Sequence, residues 1–142
     1  ANNKITDALI ENLPRIDDET LKNMYTVDDL ILAATHKSKD RYTEMFSHLE
    51  KYKITKKFNI DDKMFYNGDI VFSKPSKGSY QLMHCFTIHS IQGETAENNL
   101  FIDISKRFSA HMLYTALSRA QYISQIYLVN APQTNTNTSH VL

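Results

Sequence analysis

One cysteine, three glycines and no formal net charge are found among 142 residues, and each shortage excludes something. A lone Cys85 in an apolar stretch cannot form an internal disulfide, which fits a reducing, intracellular setting. With glycine only at Gly68, Gly78 and Gly93, no G-x-x-x-x-G-K-[ST] phosphate loop can be written anywhere. No acidic pair closes an apolar strand as Mg²⁺ ligands would. The chain by itself therefore lacks the main electrostatic machinery of phosphoryl transfer. No apolar run approaches the ~20 residues of a membrane-spanning helix, and no signal peptide opens the sequence, so no membrane contact is expected. His84, Cys85, His89 and His111 lack the paired short spacings of a zinc site, and a strand would send His84 and Cys85 to opposite faces. Ser90, His89 and Asp103 are the residue types of a hydrolytic triad, but no glycine pattern of a nucleophile elbow surrounds Ser90. No metal centre is expected.

What the chain does contain points to one domain with a real core. Its length suits a single globular unit, 42% of residues are hydrophobic and 11% aromatic. The charge is unevenly placed. Residues 1–30 hold three basic and seven acidic groups, residues 36–77 ten and six, and residues 78–142 three and three. The basic middle is mostly lysine, from Lys37 to Lys77, and suits either a solvated surface or contact with nucleic-acid phosphates. Twelve lysines against four arginines, with many Asn and Ile, lean towards an AT-rich genome such as that of a large DNA virus, a phage or an AT-rich bacterium.

Apolar spacing predicts a helix over Ile5–Leu13 ended by Pro14, and a second over Asp17–Met24. Leu30–Ala34 reads as a buried parallel strand, followed by a basic turn and a helix over Ser38–Leu49 with Tyr42, Met45, Phe46 and Leu49 on one face. Lys51–Asp69 resists assignment. Asn67-Gly68 is a turn and Asp69–Phe72 a short strand. Strands are expected at Leu82–Ile88, Leu100–Ile104 and Tyr122–Val129. Ser109 caps a helix that places Met112, Leu113, Ala116 and Leu117 on one face. The expected fold class is α/β, a mainly parallel sheet with helices on its faces, over residues 1–131, with a polar tail at 132–142.

The stretch Thr87–Arg119 carries the chemistry. A polar turn, TIHSIQGET, places scarce Gly93 where backbone N–H groups can approach a phosphate, and Arg119 follows 27 residues after Gln92. An arginine at a helix end commonly just complements the helix dipole. Paired with Gln92-Gly93, its planar fixed charge suits a γ-phosphate. These strings resemble motifs of superfamily 1 helicases: TIHSIQGET is similar to motif V, LYTALSRA to motif VI, and LILAAT with the following HKSKDRYTEMF to motif IV. The pattern and its order are closest to the RecD-like branch, over roughly residues 28–129.

The resemblance implies the second RecA-like domain of an ATP-dependent DNA helicase, possessing half an active site and inactive alone. Arg119 would be the arginine finger. Gln92, Gly93 and Thr95 would lie at the nucleotide. Thr35, His36 and Lys37, with Thr87, His89 and Ser90, would contact single-stranded DNA. Where relatives have Lys after the motif V histidine, this chain has Ser90. ATP with Mg²⁺ would be bound mainly by an N-terminal RecA-like domain of the same parent chain. A non-catalytic nucleic-acid-binding module derived from a helicase is the alternative. Relatives also carry a small barrel after a G-D-x-V phrase. Here only Ser73–Tyr80 follows Ile70–Phe72 before the next run, so that insertion is expected to be missing or vestigial.

Overall fold

The computed structural model describes residues 10–91, 94–106 and 108–131. In chain order these form β1 (Arg15–Ile16), α1 (Asp18–Met24), β2 (Leu30–Ala33), α2 (His36–Met45), β3 (Tyr52–Lys56), β4 (Phe58–Ile60), β5 (Lys63–Phe65), β6 (Ile70–Val71), β7 (Ser79–Leu82), β8 (Cys85–Thr87), β9 (Leu100–Asp103), α3 (Ala110–Leu117) and β10 (Ile126–Val129). Five of the strands build one sheet in the order β1-β10-β9-β2-β8, every pair parallel. The expected α/β class is what is found. Among the described residues no helix is long and apolar enough to cross a membrane.

The sheet is buried on both faces because β2 and β9 are apolar at every position but the last of β9, where Asp103 stands. Alternation sends Leu30, Leu32, Leu100 and Ile102 to one side, where Leu113 and Ala116 of α3 cover them. Ile31, Ala33 and Phe101 go to the other, under Leu21 of α1 and Tyr42 of α2. Burying one such Leu or Ile completely contributes ~1.5–3 kcal/mol, so these two apolar layers are what hold the sheet between its helices.

Local signals explain most boundaries. Asp17 caps α1 by accepting from the Thr20 N–H at 2.9 Å, and Ser109 caps α3 by accepting from Met112 at 3.1 Å. Helix α2 begins two residues before the expected Ser38, because Thr35 is its cap and accepts from the Ser38 N–H at 3.1 Å. It also ends earlier, at Met45, with Phe46 closing the last turn rather than continuing to Leu49. The edge strand β1 was not anticipated; two residues give no periodicity, and it forms by pairing with β10. Tyr122–Gln125, expected as strand, is instead a turn with a short 3₁₀ segment, Ile123–Gln125. The expected tail at 132–142 and residues 5–9 of the expected first helix lie outside the described residues, while residues 10–12 are helical.

The larger correction concerns the insertion. Between α2 and β8 the chain builds five short antiparallel strands: a sheet in the order β6-β3-β7 and the hairpin β4-β5. Most of this unit precedes Ile70–Phe72, which is why a search after that point finds nothing. It also takes Leu82 into β7, so the predicted Leu82–Ile88 strand divides there and β8 starts at Cys85. Its small core is aromatic: Phe58 stacks on Phe65 with centroids 4.9 Å apart. Gly78, at φ +102°, lies so close to the Phe58 ring that a Cβ would overlap it.

The insert leaves and rejoins the sheet at the amino ends of β2 and β8. The two crossing strands pair there, Met83 N–H donating to the Lys51 carbonyl at 2.9 Å. Buried Lys51 donates to the Asp29 carbonyl at 2.7 Å and lies 3.5 Å from the Tyr25 hydroxyl. That hydroxyl is 2.8 Å from His84 Nδ1, while His84 Nε2 is 3.0 Å from the Leu49 carbonyl. A carbonyl accepts only, so His84 carries its proton on Nε2 and Tyr25 donates to Nδ1. Burial holds Lys51 at about 8 and lowers His84 from its ordinary value.

Candidate functional site

In an open parallel sheet, ligands gather beyond the carboxyl ends of the strands. Two kinds of polar group meet at that edge here. Over β9 and β10 they bond one another: Tyr42 donates to Asp103, Ser105 donates to Asp103 through N–H (2.7 Å) and Oγ (2.6 Å), and Asn130 donates to Tyr42 at 2.9 Å and to Asp18 at 2.7 Å. Arg41 completes the set with two bonds to Asp18 at 2.9 and 3.3 Å, which hold the Asp18 carboxyl below its usual range. Asn130 sits at φ +56°, a backbone Asn tolerates better than most residues. This network ties α1 and α2 to the sheet.

Over β2 and β8 the groups turn outwards. The register pair Ala33–Thr87 sets the turn after β2 beside the turn after β8, so Thr35, His36 and Lys37 neighbour Thr87, His89 and Ser90. His36 and Lys37 are exposed in the first turn of α2, rather than in the loop before it. The Thr35 hydroxyl is engaged with Ser38, accepting from its N–H and lying 3.2 Å from its Oγ. Thr87 is buried; its Oγ1 donates to Ser90 Oγ at 2.9 Å, and Ser90 Oγ donates to the Thr87 carbonyl at 3.1 Å. That pair closes the 3₁₀ turn Ile88–Ser90, against which α3 packs, and leaves His89 and Ser90 on the surface.

Gln92 and Gly93 lie outside the described residues. The chain resumes at Glu94, and there it meets Arg119. Ala96 N–H donates to the Arg119 carbonyl at 2.8 Å, Ala96 and Ala120 form a parallel bridge, and Arg119 Nη1 donates to the Glu94 carbonyl at 3.3 Å. A third contact runs from Nη2 to Ser118 Oγ at 3.2 Å. Nε is shielded from solvent, and among the described residues it is the one buried side-chain nitrogen or oxygen with no hydrogen-bond partner. Thr95 is exposed beside this contact. Tyr114, Tyr122 and Ile123, on the helix before Arg119 and the turn after it, are also exposed, between 58% and 67%.

Sequence reasoning missed Gln125, which holds this corner together. Its Oε1 accepts from the N–H groups of Gln121 and Tyr122, both at 2.7 Å. Its Nε2 donates to the carbonyls of Ala96, at 2.9 Å, and Asn98. The only signal available in sequence was a polar residue inside an otherwise apolar strand-like run.

No protein-family model matches the sequence, and no curated protein does. Among solved structures the fold is similar to that in the crystal structure of Pif1 helicase from Candida albicans, with a TM-score of 0.54 and 13% identity. The likeness covers 92% of this chain and 55% of that one, so this chain spans about half the length of the helicase it matches. At that identity the likeness establishes architecture: a five-stranded parallel sheet between helices, matching a RecA-like helicase domain.

Proposed function

We propose that this chain is the arginine-supplying RecA-like domain of an ATP-driven superfamily 1 DNA helicase of the RecD-like branch, encoded by a virus or phage. The observation that carries the reading is the corner at Arg119. A guanidinium is held against the segment that directly follows Gln92-Gly93, and it keeps a buried Nε–H without an acceptor among the described residues. A buried donor left unpaired is costly, on the order of 1–3 kcal/mol, and is commonly retained where a ligand completes it. Arginine offers a flat fork of donors that no lysine reproduces, suited to phosphate oxygens.

On this reading ATP with Mg²⁺, bound mainly by an N-terminal RecA-like domain of the parent chain, supplies the phosphoryl group passed to water. Arg119 stabilises the charge that grows on it, with Gln92, Gly93 and Thr95 beside the nucleotide. The exposed Tyr114, Tyr122 and Ile123, before and after Arg119 along the chain, belong to the face that meets the partner domain. His36, Lys37, His89 and Ser90, set side by side at the sheet's edge, contact the phosphates of single-stranded DNA, with Thr35 and Thr87 shaping the two turns.

The test is Arg119→Ala in the full-length parent protein, assayed by steady-state ATP hydrolysis with saturating single-stranded DNA. Interactions made mainly in the transition state govern turnover more than affinity, so kcat should fall about a hundredfold with little change in KM. Near-normal turnover in a folded variant would overturn the assignment. The 142-residue chain alone should not hydrolyse ATP.

A further inference from the structure

Arg119 does not hold its own position. Its carbonyl is bonded to the Ala96 N–H, and its guanidinium reaches the Glu94 carbonyl, so its placement depends on where the 94–98 segment lies. That segment follows a polar turn and is exposed on both sides of Ala96. Ala96 is anchored in the core and the adjoining Asn99 bonds Asp29, while the carbonyls of Ala96 and Asn98 are held by a single carboxamide. Gln125 donates to the Ala96 and Asn98 carbonyls with one end and accepts from the Gln121 and Tyr122 N–H groups with the other. The backbone of Ala96 is therefore gripped twice, its N–H donating to the Arg119 carbonyl and its C=O accepting from Gln125.

From this geometry we infer that Gln125 is the positioning residue for Arg119, and that its amide sets where the arginine meets a polyphosphate. The inference rests on the reading of Arg119 given above. Few side chains serve. The group must offer two donors and two acceptor lone pairs in one plane, with enough reach to span the two segments, and glutamine has both. Glutamate has the same shape and keeps the acceptors, but turns the donor end into an oxygen facing two carbonyls. Methionine has comparable length and neither function.

This asymmetry gives the test. The ¹⁵N-labelled 142-residue chain is titrated with inorganic tripolyphosphate at neutral pH, following the Arg119 Nε–Hε resonance, identified by its loss in Arg119→Lys. Amide exchange at Tyr122 and Ala96 is measured on the same samples. In the unaltered chain the Nε–Hε signal should move. In Gln125→Glu the Tyr122 amide should stay protected, while the Ala96 amide exchanges faster and the tripolyphosphate response weakens about tenfold, the effect of losing one to two ordinary hydrogen bonds. Gln125→Met should lose protection at both amides and weaken the response at least as much.

A purely structural role for Gln125 in the 121–125 turn predicts the opposite for Gln125→Glu, namely an undiminished response, and that result would overturn the proposal. Loss of a folded spectrum in both variants would also overturn it, since Gln125 would then hold the domain together rather than place one side chain. If the unaltered chain shows no response, the anion-binding role of Arg119 fails first and the positioning role with it. A response lost in Arg119→Ala but kept in Gln125→Glu refutes the positioning role alone.

Discussion

Two polar clusters beside the central sheet treat buried polarity differently. At the amino ends of β2 and β8, Lys51, Tyr25 and His84 are sealed from solvent and the polar atoms of their side chains meet one another or a backbone carbonyl. Just before the amino ends of β9 and β10, Arg119 carries a shielded Nε–H with no partner among the described residues. Both clusters join distant segments, and both contain a cation. The first is complete without a ligand, so its energy appears as stability. The second is incomplete, so its energy becomes available when something binds. Counting unpaired donors separates a joint from a site where charge and burial alone do not.

The comparison is easiest to break at its closed end. His84→Ala removes a fully buried ring, leaves a cavity, and strands the Tyr25 hydroxyl and the Leu49 carbonyl. We expect a loss of about 3 kcal/mol, or about 10 °C in melting temperature, read by a thermal melt. A shift below about 2 °C would show that the joint contributes little.

A smaller effect sharpens the same end. Burial holds Lys51 at about 8, against 10.5 ordinarily. Between those values the unfolded chain binds a proton that the folded chain has released, so stability should rise with pH from about 8. Above about 9 the buried thiol of Cys85, and above about 10 the buried hydroxyls of Tyr25 and Tyr42, whose ionisation burial opposes, work in the other direction and close the window. Urea midpoints across the window should climb in the unaltered chain and stay flat in Lys51→Met. Equal slopes would mean that Lys51 is not the group responsible.

The smallest effect is expected at the open end. Arg119→Ala should change stability by no more than about 0.5 kcal/mol, because the side chain lies at an edge and one of its buried donors is unpaired. A large loss of stability there would make Arg119 a structural strut and erase the distinction between the two clusters.

How much of this was legible in the sequence follows from the range of each interaction. β2, β9 and α3 were readable because apolar spacing and a Ser or Thr cap are local signals. The insert was not: its strands are short and half-exposed, without alternation, and their register is set by pairing across the length of the unit, as in Tyr52 with Leu82. Thr35 was readable as a residue of the β2 turn, but not as a cap whose hydroxyl is already engaged. Arg119 stood out through its neighbours in sequence. Gln125 did not, because its four partners include two carbonyls 27 and 29 residues away. Gln92 and Gly93, read as part of the site, lie outside the described residues.

The pairing of Lys51 with Met83 has a consequence for how such a chain can change over generations. Because the insert comes and goes through a single doorway, the path of the five parallel strands does not depend on what hangs from it. Residues can be added to or removed from that appendage without rerouting the sheet. The domain is thus divided into a part whose length is constrained by its topology and a part whose length is free to drift. Selection can reshape the second while the first keeps its geometry.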